Sequence, residues 1–198
     1  MASDVQIAKL ALQHLGDRYD IQSLADETPE AEQVLLVYTD VRDALLREHP
    51  WSFARKFVSP AALTGTPPAS WSYMFAYPTD CVRVIKVVNP LGDAAPPIRF
   101  TVGINTSDVS VILCNESEPT FECTKRVTDP QRFDPEFVTA FSYRLAEAMA
   151  IPLTGDRGLL ADMRGLANAA VSRATSTSAN EGFEEPSPAE ATWITARS

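Results

Sequence analysis

The sequence predicts an α+β fold: an α-helical bundle built from two N-terminal and two C-terminal helices, with an inserted antiparallel β meander or small barrel and an extended C-terminal tail. Three observations predict it. Apolar residues recur at helical spacing in the first fifty positions and again after residue 134. Between these stretches the period falls to two. Beyond about residue 175 the periodicity disappears. The implied segments are 1–50 (N-terminal helices), 51–133 (β-rich insertion), 134–175 (C-terminal helices) and 176–198 (tail).

The first helix is announced by Ser3 and Gln6, spaced as a capping box. Val5, Ala8, Leu12 and Leu15 follow at +3, +4 and +3, with Ile7, Leu10 and Ala11 beside them, and Gly16 supplies the stop. Thr28 caps a longer helix whose first residue is Pro29, where a missing N–H costs nothing. Val34, Tyr38, Val41 and Leu45 form its apolar stripe, while Glu32, Asp40, Asp43 and Arg47 point elsewhere. Pro50 disfavours a helical conformation at His49 and so ends this helix there.

The strand-like runs are VRVIKVV (82–88), IRFTVGI (98–104), VSVILC (109–114) and TFECTKRV (120–127). The second and fourth alternate most cleanly. Short, turn-rich connections such as NTSD and NESEP leave no room for helical crossovers, so the strands pair antiparallel. The helical period returns after Asp134-Pro135, with Val138, Phe141, Leu145 and Ala148 in one stripe. Alanines 140, 146, 148 and 150 let a neighbouring helix approach closely. Pro152 and Gly155 end or kink this helix, and Asp156 caps another that carries Leu159, Met163, Leu166 and Ala170. The last segment, rich in Ser, Ala, Glu and Pro, is expected to be too polar to offset its own ordering entropy.

A chain of 198 residues can bury a real core. Its formal net charge of −9 argues against a protein that grips nucleic acid, since such proteins neutralise phosphates with Lys and Arg. Cys81, Cys114 and Cys123 are odd in number and contain no CxxC pair, which supports neither a disulfide framework nor a zinc site. They are expected to be buried apolar residues in a reducing compartment. The N-terminus is too polar for a signal peptide and no apolar run approaches a membrane span, so the expectation is a soluble intracellular product with no membrane partner.

Chemistry is sparse. The two histidines, His14 and His49, are too few for a zinc site, and no nucleophile elbow, HExxH, P-loop or dinucleotide fingerprint occurs. The carboxylates lie on helix surfaces, where solvation is their ordinary role. No cofactor, metal or catalytic residue is therefore expected. The most crowded stretch is REHPWSFARK, residues 47–56. Interleaved aromatic and basic residues can bind single-stranded nucleic acid, but the acidic surroundings oppose that. The residues read better as a packing corner: Trp51 and Phe53, one residue apart in an extended segment, anchor the helical layer, and Arg47, Arg55 and Lys56 ring its rim.

That corner belongs to a longer succession. In LALQHLGDRYDIQSLADETPEAEQVLLVYTDVRDALLREHPWSFARK, a short helix ending in LG is followed by I-x-S-L and by a long helix ending in W-S-F. YMFAYPTDCVRVIKV and FDPEFVTAFSYRLAEAMAIPLTGD come later. Over residues 5–165 this order resembles the phage tail tubular protein A family, the head-to-tail adaptors of short-tailed phages. The resemblance implies a structural virion protein in the neck of the particle, assembled in the host cytoplasm. It implies a ring of twelve copies docked between the portal protein and the tail or nozzle, with DNA passing through the lumen without specific binding. An acidic lumen would let DNA slide where a basic one would hold it.

Two other classes compete: a small hydrolase-like enzyme using Cys81 or His49, and an acidic regulatory binding module. The tail carries one further expectation. Thr192, Trp193, Ile194 and Thr195 form a short β-prone run in a polar terminus. Terminal segments of the resembled family reach toward the portal, so these four are the candidate portal-docking residues, each copy adding a strand to the portal's sheet edge.

Overall fold

The computed structural model describes residues 2–16, 21–92 and 95–181. Four helices and two small antiparallel sheets make the α+β fold. The helices are α1 (Asp4–Leu15), α2 (Pro29–Glu48), α3 (Pro135–Thr154) and α4 (Arg157–Asn180). The strands are β1 (Arg55–Val58), β2 (Tyr73–Ala76), β3 (Cys81–Val87), β4 (Phe100–Ile104), β5 (Ser110–Cys114) and β6 (Phe121–Lys125).

The caps act as the sequence predicts. The Gln6 N–H donates to Ser3 Oγ and the Ser3 N–H donates to Gln6 Oε1, completing the capping box of α1. Ala31 N–H donates to Thr28 Oγ1 at 3.2 Å. Asp156 Oδ1 accepts from the amides of Gly158 and Leu159 at the head of α4. Gly155 ends α3 with φ of 68°, a left-handed conformation that glycine adopts without a Cβ clash. Pro152 does not end α3; it sits within the helix.

Helix α3 is the centre of the bundle, packing against α1, α2 and α4. A helix contacted on three sides must be apolar around most of its circumference. Phe137, Ala140, Phe141, Leu145, Ala146, Met149 and Ala150 are accordingly all fully buried, whereas Val138 and Ala148 of the expected stripe are only partly so. On α4 the buried positions are Met163, Ala167, Ala170 and Ala174, and Leu166 is 46% exposed. Small alanines at the contact let α4 lie close on α3, which turns the larger Leu166 outward. Across this contact Glu147 of α3 accepts from Arg164 of α4 at 2.8 Å and from Arg144 at 3.0 Å.

The last helix corrects one boundary. It runs to Asn180, so residues 176–180 belong to α4 and not to the tail expected at 176–198. Serine and threonine hide the continuation from a propensity reading. In place they bond backward along the helix, Ser176 Oγ to the Ser172 carbonyl and Thr177 Oγ1 to that of Arg173.

The insertion is antiparallel throughout, with strand orders β1-β6-β3 and β2-β5-β4. Only β4 and β5 are neighbours both in sequence and in a sheet. Phe121, Cys123, Val84 and Val87 of the first sheet share a core with Phe75, Ile112 and Cys114 of the second. Phe121 holds its centre, with its ring centroid 5.7 Å from Phe75 and 6.5 Å from Phe100. The insertion meets the bundle through polar clasps. Arg47 Nη1 donates to the Val82 carbonyl at 2.7 Å, Arg83 Nη1 donates to the Arg47 carbonyl at 3.2 Å, and Arg126 pairs with Asp43 at 2.8 Å.

Candidate functional site

The corner at residues 47–56 is in place, with one change of geometry. Ser52–Ala54 form a 3₁₀ turn instead of an extended segment. Trp51 and Phe53 nevertheless converge on one partner, because Phe137 of α3 lies between them with its ring centroid 5.0 Å from each. Trp51 is 1% exposed, and its indole Nε1 donates to the Leu45 carbonyl at 2.9 Å, so its polar edge is satisfied inside the core. The rim is basic as expected. Arg55 pairs with Glu122 at 3.1 Å and Lys56 with Asp80 at 2.7 Å. Both pairs lie within the β insertion, so the aromatic residues anchor the bundle and, of the three rim cations, Arg47 is the one that joins bundle to insertion, through the Val82 carbonyl.

Beside this corner lies a cleft of about 610 Å³ between α2, β3 and the edge of the second sheet. Asp43, Arg47, Tyr77, Cys81, Arg83 and Arg126 line it. The sequence does not announce it, because its residues come from segments well separated along the chain. The Cys81 thiol donates to Tyr77 Oη at 3.4 Å. Its pKa is lowered to about 7, chiefly by a hydrogen bond from Cys123, with Tyr77 helping and burial opposing. Cys123, the donor of that pair, is pushed up in turn, and burial adds to the rise. A nucleophilic thiol also needs a base to accept its proton. His49 stacks edge-on against Trp51 at 5.1 Å, and His14 lies flat on Tyr143 at 4.0 Å with Nε2 3.2 Å from Ser142 Oγ. Neither imidazole is hydrogen-bonded to Cys81. Burial lowers the pKa of both histidines, and for His49 the charges of Arg55 and Arg83 lower it further.

All three cysteines are free and buried. Among the described residues there is no group of three or more His, Cys, Asp or Glu placed to hold a metal ion. Also among them, no helix is long and apolar enough to cross a membrane. In comparisons with known proteins, the chain matches no family profile and no curated protein. The candidate portal-docking residues Thr192, Trp193, Ile194 and Thr195 lie outside the described residues.

The residues that carried the sequence resemblance can be located individually. Leu15, Ile21, Trp51, Phe133, Phe137 and Phe141 all fall in one buried cluster inside the bundle. Tyr73, Phe75, Tyr77 and Cys81 fall in or against the core of the insertion. These aromatic and apolar residues occupy packing positions, while Asp43, Arg47, Tyr77, Cys81 and Arg83 of the same stretches line the cleft.

Proposed function

We propose that this chain is a head-to-tail adaptor of a short-tailed phage or related prophage, a structural virion protein of the tail tubular protein A type. Twelve copies form a ring, joined above to the portal protein and below to the tail or nozzle, and the genome passes through the lumen. The supporting observation is the convergence of the resemblance-bearing residues on shared cores.

Surface features fit the same reading. Leu35 and Leu36 on the outer side of α2 are 55% and 70% exposed, and Val102 and Ile104 of the edge strand β4 are 48% and 69% exposed. Apolar residues of this size outside the core are suited to contacts between copies. The excess of carboxylates fits a conduit through which DNA slides without being held.

A second reading draws on one observation, the thiol of Cys81 near neutrality in an open cleft. It would make the chain a small hydrolase-like enzyme, and it lacks an imidazole in contact with the thiol. Deletion of the gene in the phage that encodes it decides between the two. The adaptor reading expects DNA-filled heads without tails, restored to infectivity by adding the purified protein. Tailed, infectious particles assembled without the protein would overturn it.

A further inference from the structure

The cleft between α2, β3 and the edge of the second sheet is cationic in a chain that is acidic overall. Arg47, Arg83 and Arg126 line it against a single carboxylate, that of Asp43. Asp43 is already engaged twice, by Arg126 and by Arg42, each at 2.8 Å. Glu48, the neighbour of Arg47, turns to Arg144, and Asp80, at the start of β3, is held by Lys56. Among the described residues neither Arg47 nor Arg83 is paired with a carboxylate. Each instead gives one N–H to a main-chain carbonyl, Arg47 to Val82 and Arg83 to Arg47. A guanidinium carries five N–H donors, so most of those on both arginines stay open to a ligand. Neighbouring groups feel this charge. Burial raises the pKa of the Tyr77 hydroxyl and Arg47 works against that rise, while burial, Arg55 and Arg83 all lower that of His49.

The rest of the wall suits the same kind of ligand. Tyr77 Oη accepts from the Cys81 thiol at 3.4 Å, which leaves the phenolic proton available to a further acceptor. Val82, Val84 and Val102 supply an apolar side. At about 610 Å³ the space is of the size that takes a small molecule. Guanidinium forks match the oxygens of a phosphate, and two cations without a counter-charge suit a dianion better than a single carboxylate. A phosphate monoester carries about −1.5 to −2 charges near neutral pH.

We propose that this cleft binds a small phosphate monoester, its phosphoryl oxygens on the guanidinium groups of Arg47 and Arg83, the Tyr77 hydroxyl beside them and the organic part against the valines. Arg47 belongs to the bundle and Arg83 to the insertion, so the bound phosphate ties the two together across their polar junction. Occupancy then sets how firmly the insertion is held. The proposal needs neither the adaptor nor the enzyme reading, and its failure leaves both standing.

Cys81 reports on the site because it lines the cleft. Its alkylation by iodoacetamide, a neutral reagent, is followed by mass spectrometry on the full-length protein near neutral pH. Ionic strength is held constant with chloride, so that screening does not enter the comparison. Phenyl phosphate at about 10 mM should slow the alkylation at least about fivefold and raise the melting temperature. Inorganic phosphate lacks the organic part and should need at least about threefold more for the same protection. Arg83→Gln, at an exposed position, should lose the protection. Arg83→Lys keeps the charge and a donor for the Arg47 carbonyl, so it holds the fold if the glutamine does not. Without the fork it should require at least about threefold more ester. Alkylation indifferent to phenyl phosphate in the wild-type chain, or undiminished protection in these variants, would overturn the proposal. Equal protection by inorganic phosphate would overturn the ester assignment. So would equal or better protection by a DNA duplex at matched phosphate concentration, because the cleft would then read a nucleic-acid backbone.

Discussion

The indole of Trp51 donates to the main-chain carbonyl of Leu45, 2.9 Å away and inside the helical core. That bond ties Trp51, three residues past the end of α2, back to the last turn of the helix. Together with the Phe137 ring it fixes the angle at which the chain leaves the bundle for the insertion. Trp51→Ala should therefore cost about 3–5 kcal/mol, the range for emptying a large aromatic site. Trp51→Phe keeps most of the packing but strands the Leu45 carbonyl, for a loss of about 1–3 kcal/mol. Denaturant unfolding measures both. A wild-type midpoint for Trp51→Ala would mean that the indole serves a partner and not the core.

The clasp between bundle and insertion predicts a local effect. Arg47→Ala removes the bond to the Val82 carbonyl and should destabilise the protein by about 1 kcal/mol, because the arginine is solvent-facing. The larger signature is in hydrogen exchange, where amides of β3 should open faster while those of α3 do not. Combined with Asp43→Ala, which releases Arg126, the two changes should be non-additive, since both act on the same junction. Strict additivity would show that the clasps act independently.

Both histidines are held more easily neutral in the fold than in the unfolded chain, His14 by burial and His49 by burial and two guanidinium groups. As pH falls through about 6.5 the unfolded chain takes up protons that the folded chain refuses, and the equilibrium moves toward unfolding. Stability should thus be complete above that pH and decline below it. His14→Gln, which does not titrate, should flatten the decline between about pH 7 and 5. A steeper decline in that variant would contradict the assignment.

Cys81 separates the adaptor reading from the enzyme reading most sharply. Its thiolate should form near pH 7, so alkylation of Cys81 should rise through neutrality while Cys123 stays protected. The adaptor reading expects Cys81→Ser to lower stability by at most about 1–3 kcal/mol and to change no activity. A hydrolytic activity of the purified chain that disappears in Cys81→Ser would favour the enzyme reading instead.

The four helices were legible because their signals are local. A cap such as Thr28 or Asp156 and a stop such as Gly155 act within one turn, and the structure uses each of them. Strands β1 and β2 were not legible. RKFV begins with two cations whose partners, Glu122 and Asp80, are distant in sequence, and YMFA has no alternation because both of its central residues are buried. Sheet order is harder still, because β6 comes last in the insertion yet pairs between β1 and β3. Trp51 announced itself as a large aromatic next to a helix-ending proline. The cationic cleft did not, since Arg47, Arg83 and Arg126 come together only once β6 lies beside β3 and the insertion meets α2.

Negative-stain imaging of the purified protein, alone and mixed with the portal protein that the adaptor reading assigns to it, tests the central claim most directly. The adaptor reading predicts closed rings with an open lumen, stacked coaxially on the portal when it is present. Single compact particles at every concentration, with no association with the portal, would contradict it.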